Sequence, residues 1–459
     1  MNVADSEVVA AILEEAGYRP AKDIHHADLI FVNTCSIREN AEQRVWGRLD
    51  LFRSEKRRRK NVTIGVLGCM AERLKEDLLE SDRLVDMVVG PDAYRELPKL
   101  ISSVDTGHKA VNVLLSREET YADITPVRLE SNRVSAFISI MRGCNNMCAY
   151  CVVPYTRGAE RSRDPETIVS EARDIFDKGY REVTLLGQNV DSYRYFEEGH
   201  GNSSPVMFHH LLEMVAGIDP RLRVRFSTSH PKDLSDEVLY AMARHENICR
   251  HIHLPVQSGS STVLERMNRK YDREWYLDRI TAIKRIIPGC AVSTDIIAGF
   301  CGETEEEHSD TLSLMRETGF DFAYMFKYSE RPGTKAARHL KDDVPEKIKT
   351  RRLNEIIALQ NLLSSESKKD DIGKVFEVLV EGRAKKAIAG KEAASIMASG
   401  SDSGNNIIPT MMGRTSGNKV VVFRSKDAQP GDYVNVKITS ATSATLTGNT
   451  MSDPVTGRG

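Results

Sequence analysis

Long apolar runs are missing from this 459-residue chain, and so is any excess of charge of one sign. No stretch approaches the roughly 20 apolar residues of a membrane-spanning helix, and the sequence opens on a polar helix-like segment with no basic-then-apolar leader. A cytoplasmic, reducing setting is the expectation, without a membrane partner, and free thiols there serve more often as metal ligands than as disulfides. Lys and Arg total 64 against 66 Asp and Glu, a formal net charge of −2. Global charge therefore draws no nucleic acid, and any such contact must come from local basic patches. No internal repeat and no heptad pattern is present. Cysteine is sparse too. Of Cys35, Cys69, Cys144, Cys148, Cys151, Cys249, Cys290 and Cys301, only the middle three cluster, and neither a fourth cysteine nor a histidine lies near them.

What is present is an ordinary globular composition, 40% hydrophobic and 28% charged, long enough for two or three domains. From about residue 134 to 330, strand-like runs ("VSAFISI", "EVTLLGQ", "RVRFSTS", "HIHLPVQ", "AVSTDIIAGF", "FAYMFKYS") alternate with amphipathic stretches. Asp164-Pro165 opens the first helix with a capping residue and a proline at the first helical position. Six such strands predict parallel βαβ units closing as a partial (β/α)6 TIM-like barrel over 130–366, with chemistry at the C-terminal strand ends. Residues 1–125 predict a smaller α/β domain in which "ADLIFVNTC" and "NVTIGVLGC" end on Cys35 and Cys69, cysteines expected to face one crevice. Residues 370–450 predict a small antiparallel β-barrel, with an Ala/Ser/Gly-rich insertion near 385–410. The fold class is thus α/β throughout, completed by that barrel.

The stretch "MRGCNNMCAYCVVPYTRG" carries the chemistry. Cysteines at offsets 0, 4 and 7 would share a helix face and could simply pack. Gly143 and Asn145-Asn146 favour a loop instead. A structural zinc site wants four protein ligands. Three thiolates suit a [4Fe–4S] cluster with one iron left open.

With Tyr150 before the last cysteine and a strand end before the first, C-x3-C-x2-C resembles the radical S-adenosylmethionine (SAM) superfamily. That resemblance implies that SAM chelates the open iron and is cleaved by electron transfer to a 5′-deoxyadenosyl radical. Strand-end residues Gly187, Gln188, Gln257 and Asp295, with Tyr150, are then expected to contact SAM. More narrowly, "NTCSIRENAEQRVWGRL", "GVLGCMAER", "RGCNNMCAYCVVPYTRGAERSR" and "GRTSGNKVVVF" resemble the methylthiotransferases. The resemblance implies an N-terminal domain with a second [4Fe–4S] cluster on three cysteines, two matched by Cys35 and Cys69. It also implies a radical-SAM domain and a C-terminal TRAM RNA-binding barrel. One SAM would donate a methyl group and another the radical. "NTCSIRENAEQRVWGRL" is similar to the branch that adds methylthio at C2 of N6-isopentenyladenosine 37 in tRNA. A branch acting on a ribosomal-protein aspartate, and a non-catalytic iron–sulfur RNA-binding protein, are the alternatives.

Two departures stand out. The family's first auxiliary cysteine falls in a stretch ahead of "MNVADSE", so the resemblance implies a weakened or absent auxiliary cluster in the chain as given. Cys249, Cys290 and Cys301 are expected to pack; Cys301 occupies a position that is usually proline in the family. For tRNA, the basic run Arg53–Lys60 offers local charge for phosphates or is a solvated helix face, and the trio Arg157, Arg161 and Arg163 is expected to approach the anticodon stem. A flavodoxin- or ferredoxin-class reductant and a monomeric state complete the expectations.

Overall fold

The computed structural model describes residues 1–34, 39–75, 77–80, 84–129, 133–197, 204–384 and 408–451. Its N-terminal sheet is wholly parallel, in the order β1 (Leu29–Thr34), β2 (Thr63–Gly68), β3 (Met87–Val89), β4 (Ala110–Asn112). Every residue of β2 is buried, as its unbroken apolar run demands when helices cover both faces. Gly65 leaves room for the Phe31 ring, which would stand 2.3 Å from any Cβ there. Gly68, at φ +88°, turns the chain sharply from β2 into the helix Cys69–Leu74.

The central unit has six parallel strands: β5 (Ser135–Ser139), β6 (Glu182–Leu186), β7 (Arg223–Ser227), β8 (His251–His253), β9 (Ala291–Ala298) and β10 (Phe322–Lys327). They pair as β5-β6-β7 and β8-β9-β10. A parallel bridge between Val224 and Ile248 joins the halves, with the Cys249 N–H donating to the Val224 carbonyl at 2.8 Å. Among the described residues β10 and β5 do not pair, so the barrel stays open on that side. The expected start of the first barrel helix holds: Pro165–Asp177 begins with the Asp164 carboxylate accepting from the Glu166 N–H. A larger apolar core fills the space between these strands and their helices, from Ile138 and Leu185 through Leu254 and Ile296 to Phe320.

The long helix Glu346–Lys369 leads into a closed five-stranded barrel. Its strands are β11 (Val375–Arg383), β12 (Thr410–Thr415), β13 (Val420–Arg424), β14 (Tyr433–Ala441) and β15 (Leu446–Thr450), in the order β11-β12-β13-β15-β14. Most of the Ala/Ser/Gly-rich insertion, residues 385–407, lies outside the described residues. The small barrel docks at the N-terminal ends of the central strands: Arg223 donates to the Arg414 carbonyl at 2.9 Å, and the Tyr433 hydroxyl donates to the Arg221 carbonyl at 2.9 Å, with the Arg181 carbonyl at 3.1 Å. That is the end opposite the three-cysteine loop. No helix of the described residues is long and apolar enough to cross a membrane.

Candidate functional site

The cysteine loop leaves β5 through Met141 and Arg142 and turns at Gly143, whose φ is +77°. A Cβ on Gly143 would lie 1.9 Å from the Ala159 carbonyl oxygen, so this turn admits glycine alone. Three attachments then fix the loop. The Cys144 N–H donates to the Gly158 carbonyl at 3.1 Å. Asn145 and Glu160 exchange hydrogen bonds from main chain to side chain in both directions. The Ala149 N–H and carbonyl bond to Met267 and Ala336, at 2.8 and 2.7 Å. The loop is not helical across the cysteines; a helix begins only at Val153, as the glycine and asparagines predict.

Cys148 is buried, while Cys144 and Cys151 are half-buried. Burial pushes the Cys144 thiol up to about 11 and the Cys151 thiol up to about 12, and neighbouring thiols add to it. These sulfurs therefore keep their protons at neutral pH unless a cation replaces them. Among the described residues no three His, Cys, Asp or Glu side chains gather closely enough to grip a single metal ion. Three thiolates with no fourth protein ligand beside them suit a cluster with one open iron better than a structural zinc site.

The rim around the loop is polar and partly unsatisfied. Gln188 Oε1, Asn189 Oδ1 and Asp295 Oδ1 are buried without a hydrogen-bond partner among the described residues; His253 Nε2 stands 3.6 Å from Asp295 Oδ1. Orphaned acceptors of this kind are costly and mark a place for a donor-bearing ligand. The ammonium and ribose hydroxyls of SAM are such donors, so the residues present fit it. Gln257 holds φ +70°, its main chain paired across to Asp295 and Ile297 at 2.8 and 2.9 Å. Gly187 sits where a Cβ would press on Met141 Cγ at 2.5 Å, a packing reason for glycine. The Tyr150 ring meets Phe300 edge-on at 6.4 Å. Sequence reasoning missed Asn189, Thr228 and Arg269. Thr228, a β-branched residue at φ +75° directly after β7, is a strained position of the sort found at functional sites.

Cys69 lies buried just after β2, as the first residue of the helix Cys69–Leu74. Arg157, from the helix that follows the cysteine loop, donates from Nε to Cys69 Sγ at 3.2 Å and from Nη2 to Asp5 at 2.6 Å. Cys35 lies outside the described residues. Cys249 stands near Glu182, Cys290 against its neighbour's carbonyl and Cys301 in a small apolar cluster with Phe300 and Tyr328.

The arginine trio requires a correction. Arg157, Arg161 and Arg163 are all buried and paired, to Asp5, to Asp92 at 3.0 Å and to Glu171 respectively. They join the N-terminal domain and the first barrel helix to the loop, and do not offer charge to RNA phosphates. Asp5 is the centre of the joint, shared by Arg157 and Arg142. Burial works against its charge, yet the two guanidinium groups more than offset this and hold the carboxyl at about 2. The basic run is partly occupied as well: Lys56 pairs with Asp86, Arg58 with Glu55 and Arg59 with Asp28.

Comparison with known proteins places this geometry. Residues 138–315 match the radical SAM superfamily, 1–90 the uncharacterized protein family UPF0004, and 404–450 the TRAM domain. Solved radical SAM methyltransferase TsrM from Kitasatospora setae, with tryptophan substrate and a SAM analogue bound, aligns at TM-score 0.55 and 16% identity. That alignment covers 73% of this chain and 72% of TsrM and shows the fold alone. The chain is 57% identical to the tRNA-2-methylthio-N(6)-dimethylallyladenosine synthase of Bacteroides fragilis, over 98% of this chain and 93% of the relative. It is 51% identical to the synthase so named from Porphyromonas gingivalis, over 99% of this chain and 93% of the relative. The chain therefore belongs to the tRNA-2-methylthio-N(6)-dimethylallyladenosine synthase family of radical SAM enzymes.

Proposed function

We propose that this protein adds a methylthio group to C2 of N6-isopentenyladenosine 37 in tRNA, acting in the cytoplasm with a flavodoxin- or ferredoxin-class reductant. When bound, SAM and the [4Fe–4S] clusters supply the methyl group, the sulfur chemistry and the radical that removes the C2 hydrogen. The chain's own residues do the rest. Cys144, Cys148 and Cys151 hold one cluster on a loop braced at Gly143 and Ala149. Tyr150, Gln188, Asn189, Gln257 and Asp295 line the strand-end rim where SAM binds, Gln188, Asn189 and Asp295 offering acceptors that lack protein donors. Cys35 and Cys69 are two thiolates of the sulfur-carrying site. The single observation that carries this reading is the contact of Arg157 with Cys69, which brings the two cysteine sites to one joint.

The test is reconstitution under anaerobic conditions with dithionite, SAM and a tRNA bearing N6-isopentenyladenosine 37. Nucleoside mass analysis should find the 2-methylthio product together with 5′-deoxyadenosine. Release of 5′-deoxyadenosine without any methylthio nucleoside, from a preparation carrying both clusters, contradicts the proposal.

A further inference from the structure

One buried cation beside the cysteine loop lacks a carboxylate. Arg269 is only 8% exposed, and its guanidinium meets the Tyr271 hydroxyl at 2.8 Å, the Pro255 carbonyl at 3.0 Å, Cys148 Sγ at 3.3 Å and the Tyr150 hydroxyl at 3.4 Å. It also lies over the Tyr271 ring, 4.9 Å from the centroid. Among the described residues no Asp or Glu pairs with it. Elsewhere in the molecule the buried arginines 142, 157, 161, 163, 225 and 352 all have acidic partners. An arginine keeps its charge at any working pH, and burying that charge without a counter-ion is costly. The one group in its reach able to become an anion at modest cost is the sulfur of Cys148, once it ligates iron.

The segment that carries Arg269 follows the loop residue by residue. The Met267 carbonyl accepts from the Ala149 N–H at 2.8 Å, and Asn268 Nδ2 donates to the Met147 carbonyl at 2.6 Å. Arg269 then reaches the cysteine between those two positions. Asn268 takes φ +56° to make this possible, a conformation asparagine tolerates better than most. His230 meets Tyr271 edge-on, with ring centroids 5.6 Å apart. Burial, and then the charge of Arg269, push the His230 imidazole down to about 2, so it stays neutral and adds no second cation.

We propose that Arg269 is a positioning residue that serves as the counter-ion of the SAM-binding cluster, holding Cys148 and stabilising the extra negative charge the cluster takes up on one-electron reduction. Asn268 and Met267 form the clasp that aims it. This rests on the reading of Cys144, Cys148 and Cys151 as cluster ligands. A charged donor to a cluster sulfur raises the reduction potential, because the reduced state carries more negative charge.

The test uses the full chain with Cys69→Ser, so that the loop's cluster is the iron–sulfur centre being read. Iron per chain is measured, and the reduced fraction is followed by electron paramagnetic resonance against a dithionite-set potential. In this background Arg269→Gln should keep its iron and show an about tenfold lower ratio of reduced to oxidised cluster, a shift of ~59 mV for a one-electron couple. Arg269→Lys should stay close to the parent. Loss of iron in Arg269→Gln but not in Arg269→Lys supports the counter-ion role too. An unchanged ratio with iron intact overturns the proposal, as does equal loss of iron in both variants, which would make Arg269 a packing residue. If Cys148→Ser keeps all its iron, the ligand reading itself has failed, and that result is distinct from the others.

Discussion

Among single residues, the two cysteine sites should separate by what each variant still does. Cys148→Ser removes a ligand of the radical-generating site, so 5′-deoxyadenosine release should fall to background. Cys69→Ser should spare that release and abolish methylthio transfer, read by nucleoside mass analysis. Equal loss of both activities in Cys69→Ser would contradict the division of labour. The triplet Cys144, Cys148 and Cys151 is legible in the sequence because ligand spacing within one loop is local. The partners of the arginines are not. Arg157 finds Asp5 across 152 positions and Arg269 finds Cys148 across 121, pairings that no periodicity encodes. A basic side chain in a sequence reads as surface charge. Arg157, Arg161 and Arg163 therefore look like RNA contacts until their carboxylates are found in other elements.

Among the elements, the cysteine loop depends on one backbone turn. Gly143→Ala adds a methyl group 1.9 Å from the Ala159 carbonyl at a positive φ, and neither backbone strand of that turn can yield cheaply. The variant should cost on the order of 2 kcal/mol or more by denaturant unfolding and lower the iron bound per chain. A wild-type unfolding midpoint with normal iron would show that the turn is softer than its geometry. The strands and their order follow well from alternation and capping signals: Asp164-Pro165 starts its helix as expected, and the β-branched runs form the barrel. The loop attachments to Met267 and Ala336 are invisible in the sequence, since main-chain bonds between distant segments carry no residue signature.

Across the whole molecule, the joint at Asp5 ties the N-terminal domain, through Arg142 and Arg157, to both flanks of the cysteine loop. Its folded carboxyl titrates at about 2, against 3.8 for a free aspartate side chain. Its contribution is therefore complete above about pH 4 and is lost as the pH falls through the folded value. That contribution is on the order of 2 kcal/mol. Asp5→Asn strands two buried guanidinium groups, and should cost about 3–5 kcal/mol and flatten the stability–pH curve between about pH 4 and 2. A curve of unchanged slope in that variant would remove Asp5 from the joint.

Methylthio transfer to adenosine 37 is read most plainly by mass analysis of tRNA nucleosides from cells lacking the gene, with and without a restored copy. In the deleted strain 2-methylthio-N6-isopentenyladenosine should disappear and N6-isopentenyladenosine accumulate. The parent gene should reverse both changes, and its Cys148→Ser form neither. Unchanged methylthio content at adenosine 37 in the deleted strain would contradict the assigned reaction.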